Sequence, residues 1–223
     1  MKGGLWRPRF ERPGFPPGET KKSPSTEAGD TDAHEKRRHP PGARPLPGSL
    51  RFRRNCRGSD DGLRDRLWVS DGTEAGTRLV HCLLGAGSGS WVSQVRAAGG
   101  RAFFVAAHET TGPELWVTDG TAAGTGLVRD LRPEPVGSYP SSLTAVDGVL
   151  VFAAYDGDSG TELWVSDGTA AGTRRLADVA PGPESSSPAE VTAAGGLLYF
   201  SAETAGSGRE LWAIERASLL DPR

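Results

Sequence analysis

The residue types best suited to chemistry are scarce in this sequence, and they do not recur together. Its four histidines, His34, His39, His81 and His108, are scattered along the chain. The sequence contains no HExxH, GxSxG or phosphate-binding GxxxxGK[ST] pattern. His81 adjoins Cys82, but neighbouring residues of a strand point to opposite faces, so no histidine-activated thiol is expected. We therefore predict a non-enzymatic protein with no catalytic residue.

One loop has the oxygen-rich spacing of a calcium site. The stretch "DGDSGTE" places carboxylates at Asp156, Asp158 and Glu162, and calcium loops space their oxygen ligands in this way. The corresponding segments, "HETTGPE" and "ETAGSGRE", lack the pattern. A plain turn without cofactor is the favoured interpretation, and a calcium site is the alternative.

Two aromatic residues are candidate ligand contacts. Trp91 and Tyr139 stand at equivalent places, where a third unit has Ser187. An aromatic ring in a linker can stack on a ligand, although packing is the commoner role of a tryptophan.

A repeat organises most of the chain. The stretch "ELWVTDGTAAGT" (114–125) returns as "RLWVSDGTEAGT" (66–77) and "ELWVSDGTAAGT" (162–173). The tryptophans of these copies and a fourth one are equally spaced, at Trp68, Trp116, Trp164 and Trp212. The resulting 48-residue period indicates propeller blades or helical solenoids, whose repeats have roughly 40 to 50 residues.

The composition of the repeat favours the strands of propeller blades over the helices of a solenoid. Each unit contains four short runs with strand-like alternation, interrupted by turn residues before any reaches helical length. Asp147-Gly148 is a typical tight hairpin tip, and Gly99-Gly100 and Gly195-Gly196 take its place in other units. We predict an all-β, propeller-like fold of four-stranded antiparallel blades, as a partial or open propeller.

The repeated motif has a mechanical explanation. We expect Asp119 to form an Asx-turn, Gly120 and Gly124 to supply positive φ, and Trp116 to pack between blades. The alternative to this structural role is a functional one, in which the three loops lie at one rim and bind cations or glycans. The same structural roles fall to Trp68, Asp71, Gly72, Gly76, Trp164, Asp167, Gly168, Gly172 and Trp212.

The first part of the chain differs from the rest. Residues 1–65 carry a net charge of about +6 and 9 of the 17 prolines, and the remainder carries about −8. We predict disorder for 1–58, repeats for 59–216 and a tail for 217–223. Counting back one repeat from the strand at 101–106 reaches 53–58, "RRNCRG", which is not apolar. An incorrect start or reading frame upstream is therefore an alternative.

Composition also limits partners and location. No run approaches the roughly 18 apolar residues of a membrane span, and no secretory signal is visible at the N-terminus. The basic cluster at 34–44 lacks the aromatic or helical context of a nucleic-acid site, so no nucleic-acid partner is expected.

Residues 59–216 resemble the ELWxxDGT repeat family. The resemblance is carried by "ELWVTDGT" and "ELWVSDGT", the following "GTGLVRDL" and "GTRRLADV", the link "GSYPSSLTAV", and the strands "LVFAA" and "LYFSA". It implies a bacterial repeat protein with a propeller-like fold, of the cell envelope or secreted. It brings no defined activity, cofactor or catalytic residue. Arg66 replaces the expected glutamate, and the last copy departs from the motif after "ELW".

We expect a module that binds a protein or glycan through loops. The alternatives are a propeller enzyme, such as a glycan lyase or hydrolase, and a truncated fragment without independent function. Three full units do not make a closed ring, since propellers use four to eight blades. A homodimer that completes a ring is one solution, beside an open arc and a longer parent chain.

Overall fold

The computed structural model describes residues 49–54, 65–82, 91–133 and 135–220. Within these ranges the chain forms fourteen β-strands and one 3-10 helix, and no α-helix. The strands are β1 (Ser49–Arg54), β2 (Asp65–Ser70), β3 (Arg78–Cys82), β4 (Val92–Ala98), β5 (Arg101–His108), β6 (Gly112–Thr118), β7 (Gly126–Leu127), β8 (Ser141–Val146), β9 (Val149–Tyr155), β10 (Thr161–Ser166), β11 (Arg174–Ala177), β12 (Ala189–Ala194), β13 (Leu197–Thr204) and β14 (Gly208–Glu215). The predicted all-β class is confirmed.

The strands form four antiparallel sheets in which sequence neighbours pair. The first sheet is β1-β2-β3, the second β4-β5-β6-β7, the third β8-β9-β10-β11 and the fourth β12-β13-β14. Four strands per unit, as the sequence predicts, are present in the second and third sheets. The first and fourth sheets have three strands each among the described residues.

The constant repeat length fixes the strand register in the last three sheets. Phe104 pairs with Trp116, and the same pairing returns between Phe152 and Trp164 and between Phe200 and Trp212. The rings of Phe104 and Trp116 are stacked with their centroids 6.5 Å apart. Equal register follows from equal length, since each of these units has the same turn and strand spacing.

The first sheet departs from that period. Trp68 pairs with Arg51, whereas counting back one repeat from Phe104 leads to Cys56. The 48-residue period places a strand at 53–58. In the structure this strand is β1, and it lies five residues earlier in the chain. The predicted boundary at residue 59 is wrong, because Ser49–Arg54 already pairs with β2. The rest of the predicted disordered segment, 1–48 and 55–58, lies outside the described residues.

Two of the three hairpin tips have the predicted geometry, whereas at the third only Gly195 has positive φ and Gly196 does not. Asp147 and Gly148 both adopt positive φ, 49° and 84°, between β8 and β9. This is the backbone that a two-residue hairpin loop requires. Gly99 and Gly100 repeat it between β4 and β5, with φ of 56° and 76°. A Cβ on Gly99 would collide with the carbonyl oxygen of Gly148, so these two tips approach too closely for a side chain there.

The first strand of each of the last three sheets carries a bulge. The register shifts between Ser93 and Arg96 in β4, and equivalent shifts occur in β8 and β12. The bulged residues Gln94, Ser142 and Glu190 have φ of 54°, 55° and 56°. A bulge increases the local twist, and β4, β8 and β12 lie beside one another across successive sheets. Hydrogen bonds from Gln94 to the Pro140 carbonyl and from Arg96 to the Leu143 carbonyl join β4 to the β8 segment.

Three apolar clusters stack the four sheets in series. In each, a leucine and valines from one sheet meet a phenylalanine, an alanine and a tryptophan from the next, and the second and third clusters contain further leucine or phenylalanine side chains. The first cluster joins Leu67, Val69 and Val80 to Phe104, Ala106 and Trp116. The second joins Phe103, Val105, Leu115 and Val128 to Leu150, Phe152, Ala154 and Trp164. The third joins Val149, Val151, Leu163 and Val165 to Leu198, Phe200, Ala202 and Trp212.

The 3-10 helix (Arg216–Leu219) closes the described chain. Leu219 is buried in the third cluster, so the first residues of the predicted 217–223 tail are packed onto the sheets. Arg216 pairs with the Asp147 carboxylate and donates to the Gly195 carbonyl, which ties the helix to two hairpin tips. Residues 221–223 lie outside the described ranges.

The stacked arrangement predicts where truncation is most costly. Phe152 is fully buried, so Phe152→Ala should lower the free energy of unfolding by about 3–5 kcal/mol. Tyr139 is exposed, and Tyr139→Ala should change it by no more than about 0.5 kcal/mol. Urea unfolding followed by tryptophan fluorescence measures both. Equal effects of the two substitutions would contradict the stacked core.

Candidate functional site

The repeated loops lie together at one end of the sheets. Loops 71–77, 119–125 and 167–173 each follow the tryptophan-bearing strand of the first, second and third sheet. Because the strands of each sheet are antiparallel and consecutive, these loops share an end with the β4–β5, β8–β9 and β12–β13 hairpin tips. We call this end the loop rim, and the loops themselves the DGT loops.

Each DGT loop is held by its own side chains. Asp119 Oδ1 accepts hydrogen bonds from the backbone N–H of Thr121 at 2.8 Å and from its hydroxyl at 2.7 Å. The Thr121 hydroxyl in turn accepts from the N–H of Gly124 at 3.0 Å. The Thr125 hydroxyl lies 2.6 Å from both the Thr121 carbonyl oxygen and the buried Thr118 hydroxyl. The expected Asx-turn is therefore one part of a closed network.

The other two loops repeat this network atom for atom. In the first loop the carboxylate is Asp71 and the bridging threonine is Thr73, with distances of 2.9 and 2.7 Å. In the third loop Asp167 and Thr169 are joined at 2.8 and 2.7 Å. Three loops of one shape therefore project from three successive sheets.

The two glycines of each loop have different roles. Gly120 adopts φ of +88°, as expected, with Gly72 and Gly168 alike. The expectation of positive φ is wrong for Gly124 and for its equivalents, Gly76 and Gly172, because none of these three glycines has a positive φ. A Cβ on Gly124 would collide with the Asp119 carboxylate. Glycine is required there because the carboxylate occupies the space of a side chain.

Arginines from the preceding sheet fasten the loops. Arg78 of the first sheet donates to the Gly120 carbonyl at 2.8 Å, and Arg129 following the second sheet donates to the Thr173 carbonyl at 3.0 Å. Arg101 adds a bond to the Asp167 carbonyl at 3.1 Å. Arg174 of the third sheet donates to the Ser218 carbonyl. A carbonyl group of the 3-10 helix therefore accepts the arginine hydrogen bond that a DGT-loop carbonyl accepts between the other sheets. The loops thus also connect neighbouring sheets.

The internal network sets the charge of the loop carboxylates. The hydroxyl and backbone N–H of Thr121 hold the pKa of Asp119 below its ordinary value of 3.8. Thr73 lowers the pKa of Asp71 in the same way. These carboxylates are ionised at neutral pH, and one oxygen of each is committed to its own loop.

A pair of buried glutamates lies at the opposite end. The sequence singles out Glu162 only as a calcium candidate and does not single out Glu114. Glu114 and Glu162, the first residues of the "ELW" stretches in the second and third sheets, are both fully buried. Glu114 accepts from the Ser138 N–H at 2.8 Å and from its hydroxyl at 2.5 Å. Glu162 accepts from Ser186 in the same manner, and also from the Val179 N–H at 2.9 Å. Each glutamate anchors the linker that leads to the next sheet.

Burial changes the proton affinity of these glutamates. It raises the pKa of Glu114 from 4.5 to about 7, although the two bonds from Ser138 oppose the rise. Burial raises the pKa of Glu162 as well, against bonds from Val179 and Ser186. A sequence signal for this contact exists, since Ser138 and Ser186 are themselves one repeat apart, as Glu114 and Glu162 are.

The two candidate aromatic contacts lie in different surroundings. Tyr139 is 57% exposed, with φ of +49°. Trp91 is partly buried and packs against the second apolar cluster. Of the two, the Tyr139 ring is the one open to solvent.

The three calcium candidates do not converge. Asp156 accepts from the N–H of Asp158 and of Ser159 and from the Ser159 hydroxyl, which makes a self-contained turn. Both oxygens of Glu162 are taken by Val179 and Ser186. In the described part of the chain, no group of three or more histidine, cysteine, aspartate or glutamate residues could hold a metal ion.

Comparisons with known proteins add no identification. The chain matches no protein-family model and no curated protein. Across the described residues, none of the helical structure has the length and apolar character needed to cross a membrane.

The loop geometry predicts a specific glycine requirement. Gly124→Ala should lower the free energy of unfolding by about 1–3 kcal/mol, since the new methyl group displaces the Asp119 carboxylate from its bonds. Gly206 has open space around it and no positive φ, so Gly206→Ala should leave stability unchanged or raise it by up to about 1 kcal/mol. Chemical denaturation distinguishes them. A neutral Gly124→Ala would show that the carboxylate can move at no cost.

The buried glutamate predicts a pH dependence of stability. The folded pKa of Glu114, about 7, exceeds 4.5, so its contribution to stability is present at low pH and is lost as pH rises through 7. The full loss is at most on the order of 3 kcal/mol. Glu114→Gln cannot ionise, so its urea midpoint should fall less between pH 5 and pH 8 than that of the native chain. Glu109→Gln, at an exposed position nearby, should keep the native pH dependence, and an unchanged slope in Glu114→Gln would contradict the assignment.

Proposed function

We propose that the chain is a non-catalytic, propeller-like interaction module of the ELWxxDGT repeat type, which binds a protein or a glycan through its loop rim. The observation that carries this proposal is the triplicate DGT loop, built with one hydrogen-bond network and projecting from three successive sheets. Binding sites commonly lie on loops that a rigid scaffold positions.

The sheet arrangement supports the propeller-like part. Consecutive antiparallel sheets stack face to face through the three apolar clusters, and the first strands of the last three sheets lie side by side. Propeller blades have this organisation around a central axis. In such an arrangement β4, β8 and β12, whose bulges increase the local twist, would be the strands nearest the axis.

The rigidity of the loops supports a binding role. Ordering a flexible loop on binding costs free energy, and a pre-organised loop avoids much of that cost. The tips, Glu74-Ala75, Ala122-Ala123 and Ala170-Ala171, are exposed and carry small side chains in two of three cases. Small tips allow a partner to approach the backbone closely, and three of them can engage a repetitive ligand such as a polysaccharide at several points.

A propeller enzyme is the weaker alternative. Its active site would need charged side chains that converge near the axis. On the described strands β4, β8 and β12 the charged residues are Arg96 and Glu190. Arg96 already donates to the Leu143 and Val95 carbonyls. A location in the cell envelope or outside the cell remains part of the proposal through the family resemblance.

Loop-tip substitution tests the proposal. The full chain is applied to a glycan array and to immobilised cell-envelope proteins, and the ligands retained are identified. The triple variant Ala75→Arg, Ala123→Arg and Ala171→Arg should lose binding by at least about tenfold, because each arginine blocks one tip. The single variant Ala123→Arg should lose less, since multivalent contacts compensate for one another.

A matched control separates the rim from the rest of the surface. Ala205 is exposed in the β13–β14 turn at the opposite end, so Ala205→Arg should bind like the native chain. Unaltered binding by the triple variant, or absence of any ligand on both supports, would refute the loop rim as the binding surface. Cleavage of a bound glycan, seen as new reducing ends, would refute the non-catalytic assignment.

A further inference from the structure

The linker between the second and third sheets exposes two large apolar side chains. Val136 and Tyr139 are 43% and 57% exposed. The linker between the third and fourth sheets has Glu184 and Ser187 at these repeat positions, and both are exposed as well. Apolar side chains therefore face solvent at positions where the other linker presents polar ones.

The two linkers have the same backbone at the tyrosine position. Tyr139 donates its N–H to the Pro113 carbonyl at 3.1 Å, and Ser187 donates to the Thr161 carbonyl at the same distance. Their φ angles are 49° and 45°. Because a serine adopts this conformation at the equivalent place, the fold does not require the tyrosine side chain.

A neighbouring strand end differs between the units in the same way. Tyr155 donates its N–H to the Ser138 carbonyl at 3.0 Å, so the end of β9 lies against the linker beside Tyr139. Glu203 makes the equivalent bond to the Ser186 carbonyl at 2.8 Å. A second aromatic side chain thus stands where the next unit has a carboxylate.

Arg132 and Asp158 add hydrogen-bonding groups to this surface. The Arg132 guanidinium lies over the Tyr155 ring, 4.9 Å from its centroid. A Cβ on Gly157 would lie 3.8 Å from Arg132 Cγ, so the turn that carries Asp158 lies beside the arginine. Across the described ranges, the Arg132 guanidinium donates no hydrogen bond and the Asp158 carboxylate accepts none.

These residues form a surface that the next unit does not repeat. We call it the tyrosine patch, and it consists of Arg132, Val136, Tyr139, Tyr155 and Asp158. The equivalent positions hold Ala180, Glu184, Ser187, Glu203 and Gly206. The patch therefore has a chemical character that the repeated fold does not require.

We propose that the tyrosine patch binds a neutral oligosaccharide. The exposed Tyr139 ring offers an apolar face on which the C–H groups of a sugar ring can pack. Arg132 can donate to sugar oxygens, and Asp158 can accept from sugar hydroxyl groups. Ligand sites combine apolar or aromatic surface with a few polar groups in this way.

The local charge favours a neutral ligand over an acidic one. Asp156 and Asp158 both lie in the turn beside Arg132, so two carboxylates accompany one guanidinium. A sugar hydroxyl both donates and accepts, and it can therefore use groups of either sign. A stable protein interface buries roughly 800 Å² on each partner around an apolar centre, so a patch with two exposed apolar side chains fits a sugar better.

The tyrosine patch is separate from the loop rim. The linker and the β9–β10 turn lie at the opposite end of the sheets from the DGT loops. Substitutions in one surface leave the other intact, so failure of one proposal does not decide the other.

Titration calorimetry of the full chain with oligosaccharides tests the proposal. The probes are neutral cello-, malto- and chito-oligosaccharides, with acidic oligogalacturonate as the comparison. The native chain should bind at least one neutral probe, at least about tenfold more tightly than oligogalacturonate. Tyr139→Ser should weaken this binding at least about tenfold because the ring is lost, and Tyr139→Phe should retain it. Arg132→Gln should weaken it by about threefold to tenfold, since a hydrogen bond is lost.

The next linker supplies the controls. Tyr139→Ser should keep the urea midpoint of the native chain, because position 187 already holds a serine in this conformation. Ser187→Ala lies outside the patch and should bind like the native chain. The triple loop-tip variant should also bind the neutral probe normally, since its substitutions lie at the other end.

Several results would overturn the proposal. They are a native chain that binds none of the neutral probes at millimolar concentration, a preference for oligogalacturonate, and a Tyr139→Ser variant with native affinity. Loss of the neutral probe in the triple loop-tip variant alone would place that sugar at the loop rim instead. Retention of a cell-envelope protein through Tyr139, with no oligosaccharide bound, would assign the patch to a protein partner and would also overturn the proposal.

Discussion

The structure depends on one constraint: a sheet with two apolar faces cannot hide both of them by itself. Each middle sheet presents leucine and valine on one side and phenylalanine, alanine and tryptophan on the other. Burial of these side chains is the main favourable contribution to folding, and it is available only when a neighbouring sheet covers each face. The repeat is therefore a condition of stability, since a single unit would leave both faces in water. Equal spacing of the tryptophans follows because each must meet the leucine of the preceding sheet in the same register.

The twelve-residue motif serves this stacking at several levels. Its tryptophan and leucine fill the two opposite interfaces, its glutamate anchors the linker to the next sheet, and its loop accepts an arginine from the sheet before. The Asp119–Thr121–Thr125 network then fixes the loop so that the carbonyl groups point at that arginine. A motif in which nearly every residue has a local partner is expected to recur with few changes, because each change removes a contact on which another depends.

Sequence reasoning succeeds where one residue determines local geometry. Asp147-Gly148 predicts a hairpin tip because few residues adopt its backbone angles, and alternating runs predict strands because side chains alternate across a sheet. It fails where the cause lies between distant residues. The sequence predicts a positive φ for Gly124, whereas glycine is needed there because the carboxylate of Asp119 folds over it. The role of Glu114 depends on Ser138, 24 residues away. The 48-residue period misplaces strand β1, because the connection from β1 to β2 is longer than the equivalent connection in the other sheets. A strict period cannot represent that change in length.

These structural roles restrict where the specificity of the proposed binding can lie. The aspartate, threonine and glycine of each DGT loop are occupied by their own network, and the tryptophans are mostly buried between sheets. Other positions differ among the units. Glu74 stands where the other loops have Ala122 and Ala170, and the exposed Tyr139 stands where other units have Trp91 and Ser187. A ligand that contacts equivalent backbone positions in several loops would be held by what the units share. Selection of one ligand over another would come from the positions at which they differ, because only there do the loops present different chemistry.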